Sequence, residues 1–171
     1  MNLKELISPK TVLALLYLVA ALEIAALQVY MQIDHVVNVD LYRYGLQFTA
    51  FWAVEYWLSY RIVLACLVGA TIIMGVTLIP YYIFSRENTN ASRWSCIILP
   101  LISAIFSVVS LYFIMQIDTI VNVVLYQYGL QLSQEWGAKY LIITRLTLAM
   151  VETSAIVPIP MALLTWKLTK D

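Results

Sequence analysis

Charge is what this sequence has least of. Lys, Arg, Asp and Glu make up 12% of its 171 residues, about half the ~25% of an ordinary soluble domain. The ten basic and ten acidic side chains cancel to a net charge of zero. No basic surface invites nucleic acid, and no acidic arm is present. Histidine is nearly absent too. With His35 alone, bis-histidine haem ligation within the chain is impossible.

Cys66 and Cys96 are the only cysteines, both in apolar stretches, and neither belongs to a CxxC or a Cys/His cluster. A disulfide framework, a zinc site and quinone-linked disulfide chemistry are therefore unsupported. There is no Ser/His/Asp set, no phosphate-binding glycine loop and no HExxH. Asp34, Asp40, Glu55 and Asp118 are oxygen donors without a metal-specific spacing. The expectation is a non-enzymatic protein with no cofactor and no metal.

What the sequence has in excess is apolar length. Its hydrophobic share is 63% and its mean hydropathy +0.85, more than a single buried core of this size can hold. Four runs, at roughly 11–33, 60–84, 95–117 and 141–166, each reach the ~20 residues that cross a bilayer. Residues 1–10 resemble the charged start of a signal peptide. The run after them is too long for one and lacks a small-residue cleavage pattern, so it reads as a first span that stays. The fold class expected is an all-α integral membrane protein of four transmembrane helices.

The chain also repeats itself. Residues 31–48 read MQIDHVVNVDLYRYGLQF and residues 115–132 read MQIDTIVNVVLYQYGLQL, identical at 13 of 18 positions at an offset of 84. The same offset pairs Trp52 with Trp136, Tyr56 with Tyr140 and Arg61 with Arg145. A repeat fixes architecture before anything else does. The expected organisation is a first two-helix unit at 1–84, a polar turn at 85–94 and a second two-helix unit at 95–171. Two spans per unit is an even number, so both units enter the membrane in the same direction. This is a tandem parallel repeat of a helical hairpin, with a pseudo-two-fold axis along the membrane normal.

Lys4, Lys10, Arg86, Arg93, Lys167 and Lys170 fall on one side of that topology; Arg43 and Lys139 fall on the other, with Arg61 and Arg145 just inside the spans. The richer side is expected to be cytoplasmic. Both termini of a multi-pass cell-membrane protein then lie inside, and both copies of the motif face outward in the connections 34–59 and 118–140.

Within the motif the differing positions 36, 40 and 43 share one helical face. The first helix of each unit is thus expected to continue past the hydrocarbon until Gly45 and Gly129 end it. The alternation in VNVDLYRY leaves a strand as the other reading. Gln32, Asp34, Asn38 and Tyr42 recur as Gln116, Asp118, Asn122 and Tyr126. Asp34, Asn38 and Tyr42 at i, i+4, i+8 form a polar ladder. Two readings stand: an interfacial cap with aromatic anchors, and a paired outward site for a ligand, ion or partner. Asp34 and Arg61, with Asp118 and Arg145, are expected to pair as one ion pair per hairpin.

Two acids break the repeat. Glu23 has Ser107 as its counterpart and Glu152 has Val68. Both lie near the midplane, where a carboxylate is neutral, paired or wet. They are the candidate proton or cation site. Pro158 and Pro160 beyond Glu152 are expected to kink the fourth helix. The functional expectation is a structural or accessory subunit, in contact with the lipid bilayer and with other membrane chains or copies of itself, and not with nucleic acid. The alternative is a small proton, cation or solute transporter or channel that uses Glu23 and Glu152 as an oligomer.

Overall fold

The structure, a computed structural model, describes residues 9–40, 50–87, 90–124 and 134–168, with side chains placed at 11–37, 54–83, 94–122 and 137–167. All the elements described are helical. Helix α1 is Pro9–Asp34, continued by a π-helical segment at His35–Asp40. Helix α2 is Ala50–Glu87 and α3 is Asn90–Thr119, the latter continued by a second π-helical segment at Ile120–Val124. Helix α4 is Gln134–Ile156 and α5 is Pro158–Leu168.

Proline at the first position of α1 fits the helix start, where its missing N–H would have had no partner. Between α4 and α5 only Val157 leaves the helical pattern. Val157 N still bonds Thr153 O at 3.0 Å and Met161 N bonds Val157 O at 3.3 Å. The interruption therefore sits where Pro158 and Pro160 remove two donors, and the two helices act as one span.

Four segments are long and apolar enough to cross a membrane: Thr11–Val37, Val54–Ile83, Trp94–Asn122 and Gly137–Lys167. This is the architecture of a multi-pass membrane protein. The connections are shorter than the hydropathy runs suggest. The described helices extend to residue 40 and from 50, to 87 and from 90, and to 124 and from 134. The helical reading of residues 33–40 holds over the strand reading. Gly45 and Gly129, expected to end these helices, lie outside the described residues.

The four spans form a ring. Helix α1 packs on α2 and on α4–α5, and α3 packs on the same two, so that α1 and α3 are diagonal. The outer surface is lined by Ile24, Ile72, Ile79, Ile105, Val108 and Leu163, all at least half exposed. An apolar surface so extensive does not belong in water. Exposed Trp57 lies near one end of the bundle and exposed Tyr82, Trp94 and Trp166 near the other, the placement of rings that anchor helices at membrane interfaces.

The interior has two apolar clusters. One gathers Tyr30, Ile33, Val37, Tyr56, Ile117 and Tyr140, with Leu67 and Val151 at its base. The other gathers Val12, Leu16, Val19, Met74, Tyr81 and Met161. The levels between them are occupied by Glu23, Ala70, Ser103, Ser107 and Ser154, all buried. The bundle has a polar waist.

Candidate functional site

The waist is built by two features of the sequence. In α3 the inward face carries Ser103, Ser107 and Ser110, at i, i+4 and i+7, so one helical stripe is hydroxylic. In α1 the same level carries Glu23, only 1% exposed. A helical side chain leans toward its own N-terminus. Glu23 thus reaches Ser103, one turn below its counterpart Ser107. Ser103 Oγ donates to Glu23 Oε1 at 2.6 Å, and the same hydroxyl lies 3.5 Å from the carbonyl of Ala70 on α2. One serine ties three spans together.

The other carboxylate oxygen is different. Glu23 Oε2, Ser107 Oγ and Ser154 Oγ are buried with no hydrogen-bond partner. Most other buried hydroxyls bond back into their own helix. Thr77 donates to Ile73 O, Ser110 to Phe106 O, Thr147 to Ile143 O and Thr165 to Met161 O. That is the usual escape for Ser and Thr inside a span, and Ser107 and Ser154 do not take it.

Glu152 sits midway along the fourth span, as Glu23 does along the first, but on the opposite kind of face. It is exposed, next to inward Val151. The structure does not bring the two acids together. Glu23 points into the bundle and Glu152 points out of it.

At the end of the bundle that carries the repeated motif, the motif closes locally. Asn122 Nδ2 donates to Asp118 Oδ1 at 2.7 Å and to Asp118 O at 3.0 Å. Tyr140 OH donates to the same Asp118 Oδ1 at 3.4 Å. In the first half, Asp34 is within electrostatic reach of the buried phenols of Tyr56 and Tyr60. Tyr30 OH donates to Tyr60 O at 3.0 Å, and the rings of Tyr30 and Tyr60 stack with centroids 4.9 Å apart at 16°.

The expected Asp–Arg pairs are not formed among the described residues. Arg61 and Arg145 are exposed and turn away from Asp34 and Asp118, whose neighbours are phenols. The physical reason is facing: Tyr56 and Tyr140 are inward, and an arginine five residues later in a helix points well away from them. Gln32 and Gln116 are exposed. Gln116 borders an open cleft of about 260 Å³ between α2 and α3, with Glu55, Ser59 and Tyr112. The side chain of Asn38 and all of Tyr42 and Tyr126 lie outside the described residues. Among the described residues no group of three or more His, Cys, Asp or Glu gathers as a metal site.

The serines were missed by motif reading. A signal existed: at the offset of 84, Ser103, Ser110 and Ser154 stand against Val19, Ala26 and Ala70. The chain matches no protein-family model, no curated protein and no solved structure.

Proposed function

We propose that this chain is a non-enzymatic subunit of a membrane assembly, whose fourth span packs against a partner chain or a second copy. The observation that carries this reading is Glu152, exposed at the centre of an apolar span. A charged residue at a span centre facing lipid costs about 3 kcal/mol on insertion scales. Arg145, two turns away on the same outer face, makes no ion pair with it. A neighbouring helix that offers a donor or a cation at that depth removes the cost.

The same placement weighs against conduction through one chain. A path lined by Glu23 would run inside the bundle, and one lined by Glu152 outside it. The outward motif then acts as a cap on each hairpin, with Asp118 held by Asn122 and Tyr140 and Asp34 set beside the phenols of Tyr56 and Tyr60.

The tandem parallel repeat remains part of this reading. Apart from Ser59 and Cys66, each buried position of the first two spans has a buried counterpart 84 residues later, from Val12 and Cys96 to Tyr81 and Thr165. The π-helical segments at His35–Asp40 and Ile120–Val124 also fall at that offset. These correspondences support a pseudo-two-fold axis along the membrane normal. The lysine and arginine bias supports both termini on the cytoplasmic side of the cell membrane.

Photocrosslinking residues placed at Ala149 and Ile156, beside Glu152, test the assembly in native membranes. Adducts of defined mass are expected from these two sites and not from Ile72 or Ile105 on other outer faces. Absence of adducts, together with extraction of the chain as a monomer whose Glu152→Leu variant behaves identically, overturns the proposal.

A further inference from the structure

We infer that the polar waist is a binding site for a small hard monovalent cation of sodium's kind, with Glu23 as its charged ligand and the hydroxyls of Ser107 and Ser154 as neutral ones. The inference is independent of the partner on the outer face, since every residue it uses faces the bundle interior.

The first support is Glu23 itself. Its Oε1 is held by Ser103, which leaves Oε2 buried and without a partner. No donor among the described residues satisfies that atom. Ionised, it is an uncompensated charge between two apolar clusters, a cost of several kcal/mol. A bound cation or water is what completes it, and a cation also removes the charge.

The second support is the company it keeps. Ser107 and Ser154 are 0% and 1% exposed, and neither hydroxyl has a partner. Ser107 is one turn from Ser103 on the same stripe, so their Cβ atoms are about 6 Å apart. Ser154 is buried on the inward face of the fourth span, at the offset from Ala70. The Ser154 carbonyl is itself short of its usual helical donor, because residue 158 is proline. The Glu23 carboxylate, the hydroxyls of Ser107 and Ser154 and the released carbonyl would make an all-oxygen set with a single negative charge. That set suits a hard monovalent ion. A divalent ion would be left half-neutralised in a low-dielectric interior, and a soft metal would find no sulfur or nitrogen.

The third support is the pattern of departure from the repeat. The second half is hydroxylic on its inward face where the first half is apolar, at Ser103, Ser110 and Ser154 against Val19, Ala26 and Ala70. Glu23, whose own counterpart is Ser107, brings a carboxylate to that surface from the first half. A carboxylate on one side and hydroxyls on the other is how a site is assembled from two halves of a bundle.

The test uses the purified full chain in mild detergent, with thermal unfolding followed by tryptophan fluorescence. Sodium chloride is titrated against choline chloride at matched ionic strength. A saturable, sodium-specific rise in melting temperature is expected for the wild type, because only the folded state holds the site. Glu23→Gln should abolish that rise. Ser107→Ala and Ser154→Ala should each raise the half-saturating sodium concentration about tenfold, the loss of one good ligand contact. Glu152→Gln should leave it unchanged. If Glu23→Gln does not fold, the serine variants and the sodium NMR linewidth of wild-type protein decide. Equal responses to sodium and choline, a sodium response retained in Glu23→Gln, or an unbroadened sodium resonance with wild-type protein overturns the inference.

Discussion

Glu23 Oε1 accepts a 2.6 Å hydrogen bond from Ser103 Oγ, joining the first span to the third across the diagonal of the bundle. Diagonal helices in such a ring touch little, each being packed on the two spans between them. A bond across the centre therefore joins the two diagonal helices directly, which the apolar contacts around the rim do only in steps. It also fixes the rotation of α1, since a Glu side chain this deep has few other acceptable positions.

Removing the donor alone should hurt more than removing both partners. Ser103→Ala leaves a buried carboxyl group with neither oxygen partnered and should destabilise the folded bundle by about 1–3 kcal/mol. Glu23→Leu, which replaces the carboxylate with an apolar group of similar volume, should cost less. The double variant should be no less stable than Glu23→Leu alone. Reversible unfolding in detergent, read as a double-mutant cycle, checks this. Additive effects of the two substitutions would mean that the bond contributes nothing.

At the end of the bundle that carries the repeated motif, the carboxylates should depend on phenols rather than on arginines. Tyr140→Phe removes the hydroxyl that donates to Asp118 and should cost about 0.5–1.5 kcal/mol. Arg145→Gln, at an exposed position, should stay within about 0.5 kcal/mol of wild type. Thermal unfolding of the two variants side by side orders them. An ion pair between Asp118 and Arg145 would invert that order.

The spans and their number were legible because crossing a bilayer demands length and hydropathy, and both are written in composition. The helical continuation to residue 40 was legible from the face shared by positions 36, 40 and 43. Its π-helical form was not. Adjacent Val36 and Val37 are both buried, as are Ile120 and Val121, but so are adjacent residues in the α-helices, such as Cys66 and Leu67, so no facing pattern announces the wider turn. Glu23 was legible as a midplane acid, but its partner was not. Alignment of the repeat sets Glu23 against Ser107, at equal depth, whereas the backward lean of a helical side chain carries the carboxylate to Ser103. The facing of Glu152 required knowing which side of α4 is inward, and that is settled by packing on α1 and α3 rather than by depth.

Gly69 should tolerate alanine. A methyl group there would meet the ring of Phe106 at 3.7–3.8 Å, an ordinary contact distance. Glycine inside a helix is less favourable than alanine by roughly 0.8–1 kcal/mol in soluble hosts. Gly69→Ala should therefore match or slightly exceed wild type in melting temperature, and Gly75→Ala, with nothing within 4 Å, should do the same. A marked loss at Gly69 alone would show that α2 and α3 approach more closely than the ring contact implies.

Tyr30 offers the sharpest separation of a hydrogen bond from packing. Its hydroxyl donates to the Tyr60 carbonyl at 3.0 Å and its ring stacks on Tyr60. That carbonyl lies within a helix and accepts from its own helix as well, so losing the phenol does not leave it bare. Tyr30→Phe keeps the stack and should cost about 0.5–1.5 kcal/mol. Tyr30→Ala opens a cavity in the larger apolar cluster and should cost about 3–5 kcal/mol. Tyr30→Ile copies Ile114, the residue at the equivalent inward position. It should fall between the other two, because it fills part of the volume and loses both the stack and the hydroxyl. Denaturant unfolding of the three variants gives the ranking. Equal losses in Tyr30→Phe and Tyr30→Ala would place the whole contribution of this residue in its hydroxyl and none in the ring.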